Sequence, residues 1–227
     1  MSVIETYNLE KIYNKDSVPV HAINDVSLII EEGEFSALVG PSGCGKTTLL
    51  NMLGGLDHPT SGNVKVNDQM IGELKESQLT DFRLKNIGFV FQSYNLVPVL
   101  TVKENIEFIM LLQNATKKQR DARVQELIGK MGLTETVNRK PSELSGGQQQ
   151  RVAVARALAS KPRVILADEP TANLDSKSTS DLLDIMAQLN RDENVTFVFS
   201  THDQRVIDKA KRIITLEDGK VKSDEKK

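Results

Sequence analysis

Short apolar runs alternate along the chain with segments in which apolar residues recur at helical spacing. The runs at residues 35–39, 87–91, 164–167 and 195–200 are bounded by turn residues and predict buried strands. Helices are predicted where Thr101 and Glu104 form a capping box ahead of an apolar stripe, and again at residues 182–189. Strands that alternate with helices pair in parallel through crossover connections, so the pattern predicts an α/β sheet with helices on both faces.

Two regions depart from this alternation. Residues 18–34 and 62–66 show short alternating patterns that are typical of a half-exposed antiparallel sheet, and residues 93–159 contain no convincing strand pattern. We therefore expect a single domain over residues 1–227. Residues 1–92 and 160–222 are expected to form an α/β core with an antiparallel β lobe, residues 93–159 a helical subdomain, and residues 223–227 a frayed charged tail.

Composition narrows the classes of function. The 227 residues include 29 Lys and Arg against 31 Asp and Glu, and this net charge of −2 argues against a nucleic-acid partner. The single cysteine, Cys44, has no internal partner for a disulfide, which fits a reducing compartment. No stretch is apolar enough to cross a bilayer, and the amino terminus lacks a signal-peptide pattern. We expect a cytoplasmic chain that lies on the inner face of the cytoplasmic membrane through a partner.

A glycine-rich segment follows the first predicted core strand and precedes a helical pattern. It fits the phosphate-loop pattern GxxxxGK[ST] with Gly40, Pro41, Ser42, Gly43, Cys44, Gly45, Lys46 and Thr47. Such a loop turns backbone N–H groups toward a phosphate, and the positive end of the following helix faces the same anion. Lys46 is expected to reach the β- and γ-phosphates, Thr47 to ligate Mg²⁺ and Thr48 to add a phosphate contact. The alternative is a chance glycine-rich turn, which the flanking strand and helix disfavour.

Two carboxylates end the predicted strand at residues 164–167. Asp168 and Glu169 lie at the sheet edge where ligands of open α/β folds bind. Alone they would indicate a solvated strand end. Together with Lys46 and Thr47 they predict that Asp168 holds Mg²⁺ and that Glu169 accepts a proton from the attacking water.

A second glycine cluster precedes the helical stretch at residues 149–158. Ser145, Gly146, Gly147 and Gln148 offer free N–H groups, little bulk and one hydroxyl, which together favour an anion. A plain helix cap by Ser145 is the alternative, and spacing alone does not reject it. One nucleotide hardly needs two anion sites from the same chain. The two sites are easier to explain if those that contact one nucleotide come from different molecules.

Over nearly its whole length the chain resembles the ATP-binding-cassette (ABC) ATPases, the nucleotide-binding subunits of ABC transporters. Residues 144–148 match the family signature LSGGQ in full. Gln92 matches the Q-loop glutamine, Asp175 lies in a segment that resembles the D-loop, and His202 resembles the switch histidine. Tyr13 is similar to the aromatic residue that stacks on adenine. The resemblance implies a P-loop NTPase (RecA-like) core with an antiparallel β subdomain and an inserted α-helical subdomain.

The resemblance also implies how two anion sites are used. In ABC proteins two subunits pack head to tail, and the signature of one closes over the ATP held by the phosphate loop of the other. Ser145 and Gly147 would then contact the γ-phosphate in trans, Gln92 would sense Mg²⁺ and the attacking water, and His202 would steady the γ-phosphate. ATP and Mg²⁺ are the implied cofactors, a second copy of the chain is an implied partner, and an active ATPase is expected because Glu169 is intact.

Within the family, residues 54–62, 95–101 and 168–175 look most like the LolD, MacB and FtsE group. Those ATPases serve membrane subunits of the FtsX type, which implies a permease partner of FtsX or MacB type and a role in lipoprotein release or in export of peptides or drugs. Ala172 stands where lipoprotein-releasing and MacB-like members often carry Gly, which leaves the exact subgroup open.

The implied function is a motor in which ATP-driven closure and opening of a dimer pass motion to a membrane subunit. The apolar segment after Gln92 is the expected docking surface, unless it only forms the core of the helical subdomain; its residues are Tyr94, Leu96, Val97, Val99 and Leu100. One alternative is a soluble ABC ATPase in cell-division signalling or in work on DNA or ribosomes, although the chain has neither a long coiled-coil insert nor a second cassette. Another is a small-molecule P-loop kinase, which has no reason to carry LSGGQ.

Overall fold

The architecture follows from a computed structural model that describes residues 1–14 and 17–227. The strands are β1 (Ser2–Tyr13), β2 (Val20–Val26), β3 (Ile29–Glu31), β4 (Phe35–Val39), β5 (Ser61–Val66), β6 (Gln69–Met70), β7 (Ile87–Val90), β8 (Val164–Asp168), β9 (Thr196–Ser200), β10 (Arg212–Glu217) and β11 (Lys220–Lys226). The helices are α1 (Lys46–Leu53), α2 (Glu76–Asn86), α3 (Val102–Leu112), α4 (Lys117–Met131), α5 (Gly146–Ala159), α6 (Ser176–Glu193) and α7 (Gln204–Lys209).

The strands form two sheets. The first is antiparallel, with order β2-β1-β5-β6 and β3 paired beside β1. The second has order β11-β10-β4-β9-β8-β7 and is parallel except for the antiparallel pair of β10 and β11. This α/β arrangement confirms the predicted fold class.

The parallel sheet is covered on both faces, which explains why its strands read as continuous apolar runs. Along β8 and β9, the side chains of Ile165, Phe197 and Phe199 pack into a core shared with α3 to α6. Their neighbours Leu166 and Val198 point to the other face, into a core shared with α1 and the antiparallel sheet. Two cores therefore meet at one sheet, and the helical and antiparallel lobes lie on its opposite faces.

The register of the parallel strands brings their carboxyl ends to one edge. Ser200 of β9 pairs with Leu38 of β4 on one side and with Asp168 of β8 on the other. The segments that leave this edge are the phosphate loop after β4, the acidic pair at the end of β8 and the histidine segment after β9. Because parallel strands deliver their loops to the same side, the predicted catalytic residues converge there.

The carboxyl terminus differs from the predicted frayed tail at residues 223–227. Residues of this segment belong to β11, where Ser223 pairs with Thr215 and Asp224 with Ile214 of β10. The charges are paired and not simply solvated, since the guanidinium of buried Arg212 donates to Asp224 at 2.6 and 2.7 Å. The sequence prediction was wrong because charge alone carries no information about a pairing partner twelve residues away.

No helix within the described parts of the chain is both long and apolar enough to span a membrane.

Candidate nucleotide site

The phosphate loop turns tightly between β4 and α1, and its shape depends on glycine. Gly45, the residue before α1, has φ +105°, and a side chain there would place its Cβ 2.3 Å from the carbonyl oxygen of Ala22. Gly43 has φ +78° but no atom within 4 Å of a Cβ position, so its side of the loop is open. The loop is therefore packed on the side of Gly45 and open on the side of Gly43, which leaves room there for an anion.

Lys46 lies at the start of α1 with its side chain largely buried against the loop. Its ammonium donates to the carbonyl oxygens of Gly40 at 2.8 Å and Pro41 at 2.9 Å, and lies 3.9 Å from the sulfur of Cys44. An ammonium has three donors, so this geometry holds the charge at the cradle and still leaves donor capacity for a phosphate oxygen.

Thr47 and Asp168 meet across the sheet edge. The Thr47 hydroxyl lies 3.0 and 3.2 Å from the two carboxylate oxygens of Asp168, although 121 residues separate them in sequence. A hydroxyl and a carboxylate are oxygen ligands of the kind that Mg²⁺ prefers, alongside water and phosphate oxygens. The donor set therefore fits a magnesium ion shared with a nucleotide, with Thr47 and Asp168 as the protein groups.

Glu169 and His202 form the next pair along this edge. The Glu169 carboxylate is 2.7 Å from Nδ1 of His202 and accepts from the hydroxyl of Thr201 at 3.3 Å. The backbone of Glu169 is left-handed, with φ +44°, and its N–H donates to the carbonyl oxygen of Ser200 at 2.8 Å. A left-handed backbone at a residue with a side chain stores strain, a feature that clusters at functional sites.

A cleft of about 500 Å³ opens over the loop. Among the residues predicted for the site, its lining includes Ser42, Gly43, Gly45, Lys46, Thr47, Thr48 and Glu169. Asp168 and His202 adjoin it through Thr47 and Glu169, while Gly40, Pro41 and Cys44 lie behind Lys46. One chain therefore brings the phosphate loop, the Thr47–Asp168 pair and Glu169 together at one cavity.

The cleft also has lining residues that the sequence analysis missed. They are Val20, His21, Ala22, Ser200, Asp218 and Gly219. The Ser200 hydroxyl is buried without a hydrogen-bond partner in the described structure, and Ser200 pairs with Asp168 across the sheet. A serine at a strand end has no spacing signal of its own, although its place directly before Thr201 and His202 marks it in retrospect.

Tyr13 occupies a position beside this cleft and does not line its described part. Its hydroxyl is hydrogen-bonded to the carboxylate of Asp57 at 2.5 Å, and the ammonium of Lys11 lies 4.8 Å from the centre of its ring. Burial and the bond to Asp57 raise the pKa of the Tyr13 hydroxyl above its usual value. The ring is thus fixed at the edge of β1, next to Val20 of the cleft, with which Tyr13 pairs.

The signature segment forms a surface of its own, and none of its residues is among those described along the cleft. Ser145 is the N-cap of α5, accepting from the N–H of Gln148 at 3.3 Å, while the Gln148 side chain accepts from the N–H of Ser145 at 2.9 Å. The helix cap expected from sequence is therefore present. It leaves the hydroxyl proton of Ser145 free to donate, because a hydroxyl both donates and accepts.

Asp175 lies beside the signature. A Cβ on Gly147 would be 3.0 Å from the hydroxyl oxygen of Ser178, and that hydroxyl donates to the carboxylate of Asp175 at 2.7 Å. The N–H of Ser178 also donates to Asp175, which caps α6 and holds the pKa of this carboxyl below its usual value. The D-loop and signature thus share one surface.

Gln92 follows β7 with an exposed side chain, and its carbonyl oxygen accepts from the side-chain amide of Asn173 at 3.0 Å. The Q-loop is thereby joined to the segment that leads from Glu169 to Asp175. Close by, Tyr94 reaches the signature, since a Cβ on Gly146 would lie 2.9 Å from its hydroxyl. The segment after β7 therefore borders the signature, and Gln92 is not among the described lining residues of the cleft.

A second cavity, apolar in character and of about 470 Å³, lies between the parallel sheet and the helical subdomain. We call it the lobe groove; its lining includes Leu56, Leu84, Phe91, Val97, Phe108 and Leu112. Two arginines also line it, Arg83 and Arg156, whose guanidinium groups donate to backbone carbonyls and to the hydroxyl of Thr80. No acidic residue belongs to the described lining, so both charges lack an anionic partner there.

Known proteins are similar to this chain in both sequence and fold. Residues 23–172 match the ABC transporter family. The chain is 45% identical to the uncharacterised ABC transporter ATP-binding protein MJ1508 of Methanocaldococcus jannaschii, covering 96% of this chain and 97% of that protein. It is also 45% identical to the macrolide export ATP-binding/permease protein MacB of Hyphomonas neptunium. That match covers 98% of this chain and 34% of MacB.

Among solved structures, a dimer of MJ0796 described as a bacterial ABC transporter cassette has a TM-score of 0.91 at 42% identity, covering 98% of both chains. A second MJ0796 dimer, described as a post-hydrolysis state bound to ADP and Pi, has a TM-score of 0.90 at the same identity and coverage. These matches confirm the predicted family and, with it, ATPase activity that uses ATP and Mg²⁺. The chain belongs to the ABC transporter family and is one of its ATP-binding subunits.

Proposed function

We propose that this subunit works as a head-to-tail dimer, in which the signature of each copy closes over the nucleotide of the other, and that the dimer drives a membrane subunit of FtsX or MacB type. The observation that carries the proposal is the separation of two anion-binding helix starts in one chain. The described cleft is lined by the phosphate loop, whereas the capped signature helix starts on another surface. The dimeric structures of the relative MJ0796 support this arrangement.

Within each composite site, the phosphate loop binds the phosphates of ATP. Lys46 neutralises the β- and γ-phosphates, and Ser42, Gly43 and Thr48 border the cradle. Thr47 and Asp168 would hold Mg²⁺, which would supply further neutralisation of phosphate charge. Tyr13 stacks on adenine from the edge of the cleft. The roles of the loop residues and Asp168 are supported by the cleft that Ser42, Gly43, Lys46, Thr47 and Thr48 line and by the contact of Asp168 with Thr47.

Glu169 accepts the proton of the attacking water, while His202, 2.7 Å away, holds the carboxylate and steadies the γ-phosphate. Gln92 senses the metal and the water from the Q-loop. Ser145, Gly146, Gly147 and Gln148 supply the second cradle in trans, and Asp175 braces the signature surface through Ser178. Phosphoryl transfer depends mainly on positioning and charge, which is what these groups provide.

The experiment that tests the dimer is the variant Glu169→Gln. It removes the proton acceptor and keeps both cradles, so hydrolysis falls strongly while an ATP-bound dimer accumulates. Sizing chromatography with ATP and Mg²⁺ measures the dimer, and the parent chain with ADP is the control. A variant that stays monomeric at concentrations where dimerisation of the parent is otherwise seen would sink the proposal.

The membrane subunit docks in the lobe groove. The groove is apolar, has two arginines and no acidic residue in its described lining, and runs from Phe91, beside Gln92, to the exposed side chains of Phe108 and Leu112 on α3. An apolar segment with an acidic side chain complements this surface, since it buries apolar area and pairs with Arg83 or Arg156. The MacB relatives, in which an ATP-binding part and a permease are named together, support a partner of this type.

Docking in the lobe groove involves only part of the segment that the sequence analysis expected. Val97 lines the groove, whereas Leu96 packs against the core of the helical subdomain, as the alternative interpretation of this segment required. Neighbouring leucines on α3 give a matched test, because Leu112 lines the groove and Leu111 does not, although both are exposed, at 53% and 44%. We expect Leu112→Asp to abolish co-purification with the membrane subunit and Leu111→Asp to leave it unchanged; equal binding of the two variants would contradict docking in the groove.

A further inference from the structure

Gln150 is a buried side chain of the signature helix α5 that none of the roles above uses. Its side chain is fully buried, and its Nε2 donates to the carbonyl oxygen of Pro170 at 2.8 Å. Because a carbonyl only accepts, the amide must turn its nitrogen toward Pro170. Its Oε1 then lies buried without a hydrogen-bond partner in the part of the chain that the structure describes.

This arrangement brings little net stability. An unpaired buried acceptor costs free energy, and the bond to Pro170 only offsets the cost of burying the amide. An unbranched apolar side chain of similar length, such as methionine, would remove the unpaired Oε1 and leave the Pro170 carbonyl unpaired in its place. One unpaired acceptor would replace another, so stability alone gives little reason for a glutamine at this position.

The bond reaches the turn that carries the proton acceptor. Pro170 follows Glu169 directly, and Glu169 has the strained left-handed backbone described above. Two further hydrogen bonds hold this turn, from the N–H of Glu169 to Ser200 and from the N–H of Ala172 to the Glu169 carbonyl at 3.2 Å. The first joins the turn to the end of β9 and the second lies within the turn, whereas the bond from Gln150 comes from the helix that begins at the signature.

We propose that Gln150 is a positioning residue that fixes the Pro170 carbonyl, one residue after Glu169, to the signature helix, and so couples the signature to the proton acceptor of its own chain. Gln150 lies about one turn from the first residue of α5, Gly146. A helix moves as a rigid body, so a shift of its N-terminus against the partner's nucleotide moves the Pro170 carbonyl and reorients Glu169. Closure at one composite site thereby prepares the other for hydrolysis. The coupling rests on the proposed dimer.

The variant Gln150→Met tests the positioning role. We expect kcat for ATP hydrolysis to fall by roughly tenfold or more, because small misplacements of a catalytic group are costly, while KM and ATP affinity change by less than about twofold. The Tm should stay close to that of the parent. An unchanged kcat overturns the proposal, and so does a kcat that falls only together with ATP affinity and Tm, which would indicate a structural role.

Asn190 provides the matched control for loss of a buried amide. Its Nδ2 donates to the carbonyl oxygens of Gly33 at 2.9 Å and Val195 at 2.8 Å, away from the turn after Glu169. We expect Asn190→Leu to lower the Tm and to leave kcat per folded molecule unchanged. The opposite pattern, a kcat loss equal to that of Gln150→Met, overturns the specific link to Glu169.

Mixed dimers test whether the action is within one chain. One copy carries Glu169→Gln, so the remaining turnover uses Glu169 of the other copy. Adding Gln150→Met to the copy that already carries Glu169→Gln should have no further effect, whereas adding it to the other copy should remove most of the remaining turnover. Equal rates for the two placements, or the reverse order, overturn the proposal.

The proposed dimer and the role of Gln150 can be refuted separately. A Glu169→Gln variant that stays monomeric with ATP refutes the proposed dimer. The kcat, KM and Tm of Gln150→Met still report whether Gln150 positions Glu169 in that case, since both residues belong to one chain.

Discussion

The chain contains two helices that begin at glycine-rich segments, and they are built differently. The phosphate loop has glycines with positive φ, and the ammonium of Lys46 donates to carbonyl oxygens of the loop. Gly45, the N-cap of α1, has no side chain that could cap the helix. The signature has helical glycines and a capping box between Ser145 and Gln148. The phosphate loop therefore has a backbone shape that requires glycine. The signature is an ordinary capped helix start whose first two helical residues, both glycines, carry no side chains.

This difference separates the tasks of the two segments. A cradle with its own lysine and metal-binding pair binds a nucleotide within one chain. A capped helix start without a cation of its own adds N–H groups and one hydroxyl to an anion that is already neutralised elsewhere. Changes in the phosphate loop should therefore act on nucleotide binding, and changes in the signature on hydrolysis after closure.

The largest effect is expected at Lys46. Lys46→Ala removes the one charged group of the cradle, and hydrogen bonds to charged groups contribute about 1.5–3 kcal/mol each, so ATP affinity should fall by about a hundredfold. Titration of the purified chain with a fluorescent ATP analogue measures this loss. Since Lys46 also ties the loop together, the Tm is measured in parallel. ATP affinity within a few-fold of the parent would refute the assigned role.

The sequence revealed the phosphate loop because its chemistry is local. Gly45, Lys46 and Thr47 are adjacent in sequence, and the apolar runs that carry the loop and the acidic pair are continuous since the sheet is buried on both faces. The predicted strand at residues 35–39 agrees with β4, and the other three core strands differ by one residue at an end.

Features that depend on distant pairing were not predicted. The long strand β1 is interrupted near Asn8, with φ +43°: its register with β5 shifts between Tyr7 and Glu10, and its register with β2 shifts just beyond Leu9. The lobe groove combines Leu56, Phe108 and Arg156 from separate elements. The bond from Gln150 to Pro170 follows from the packing of α5 on the turn after β8, which no local pattern records.

An intermediate effect is expected at the glycines of the signature. Gly147→Ala places a Cβ 3.0 Å from the hydroxyl of Ser178 and disturbs the support of Asp175, so steady-state ATP hydrolysis should fall by roughly tenfold or more while ATP affinity of the single chain is retained. The matched control is Gly129→Ala in α4, where a Cβ meets no atom within 4 Å. That change should leave hydrolysis intact and stabilise the fold by about 0.4–1 kcal/mol. A loss of ATP affinity in Gly147→Ala would contradict the assignment of nucleotide binding to the phosphate loop and of hydrolysis after closure to the signature.

The smallest effect is expected at Ser145, the N-cap of α5. Its substitution separates two uses of one hydroxyl, which are capping the helix and contacting the partner's nucleotide. Ser145→Ala removes the acceptor for the N–H of Gln148, which should lower stability by about 1 kcal/mol and the Tm by about 2–4 °C. Thr116 caps α4 with the same capping box, formed with Gln119, so Thr116→Ala should lower the Tm by a similar amount. If the Ser145 hydroxyl also donates its proton to the partner's nucleotide, Ser145→Ala reduces hydrolysis and Thr116→Ala does not. Equal hydrolysis by the two variants would mean that Ser145 is only a helix cap, and the trans contact would then rest on the backbone N–H groups of the signature glycines.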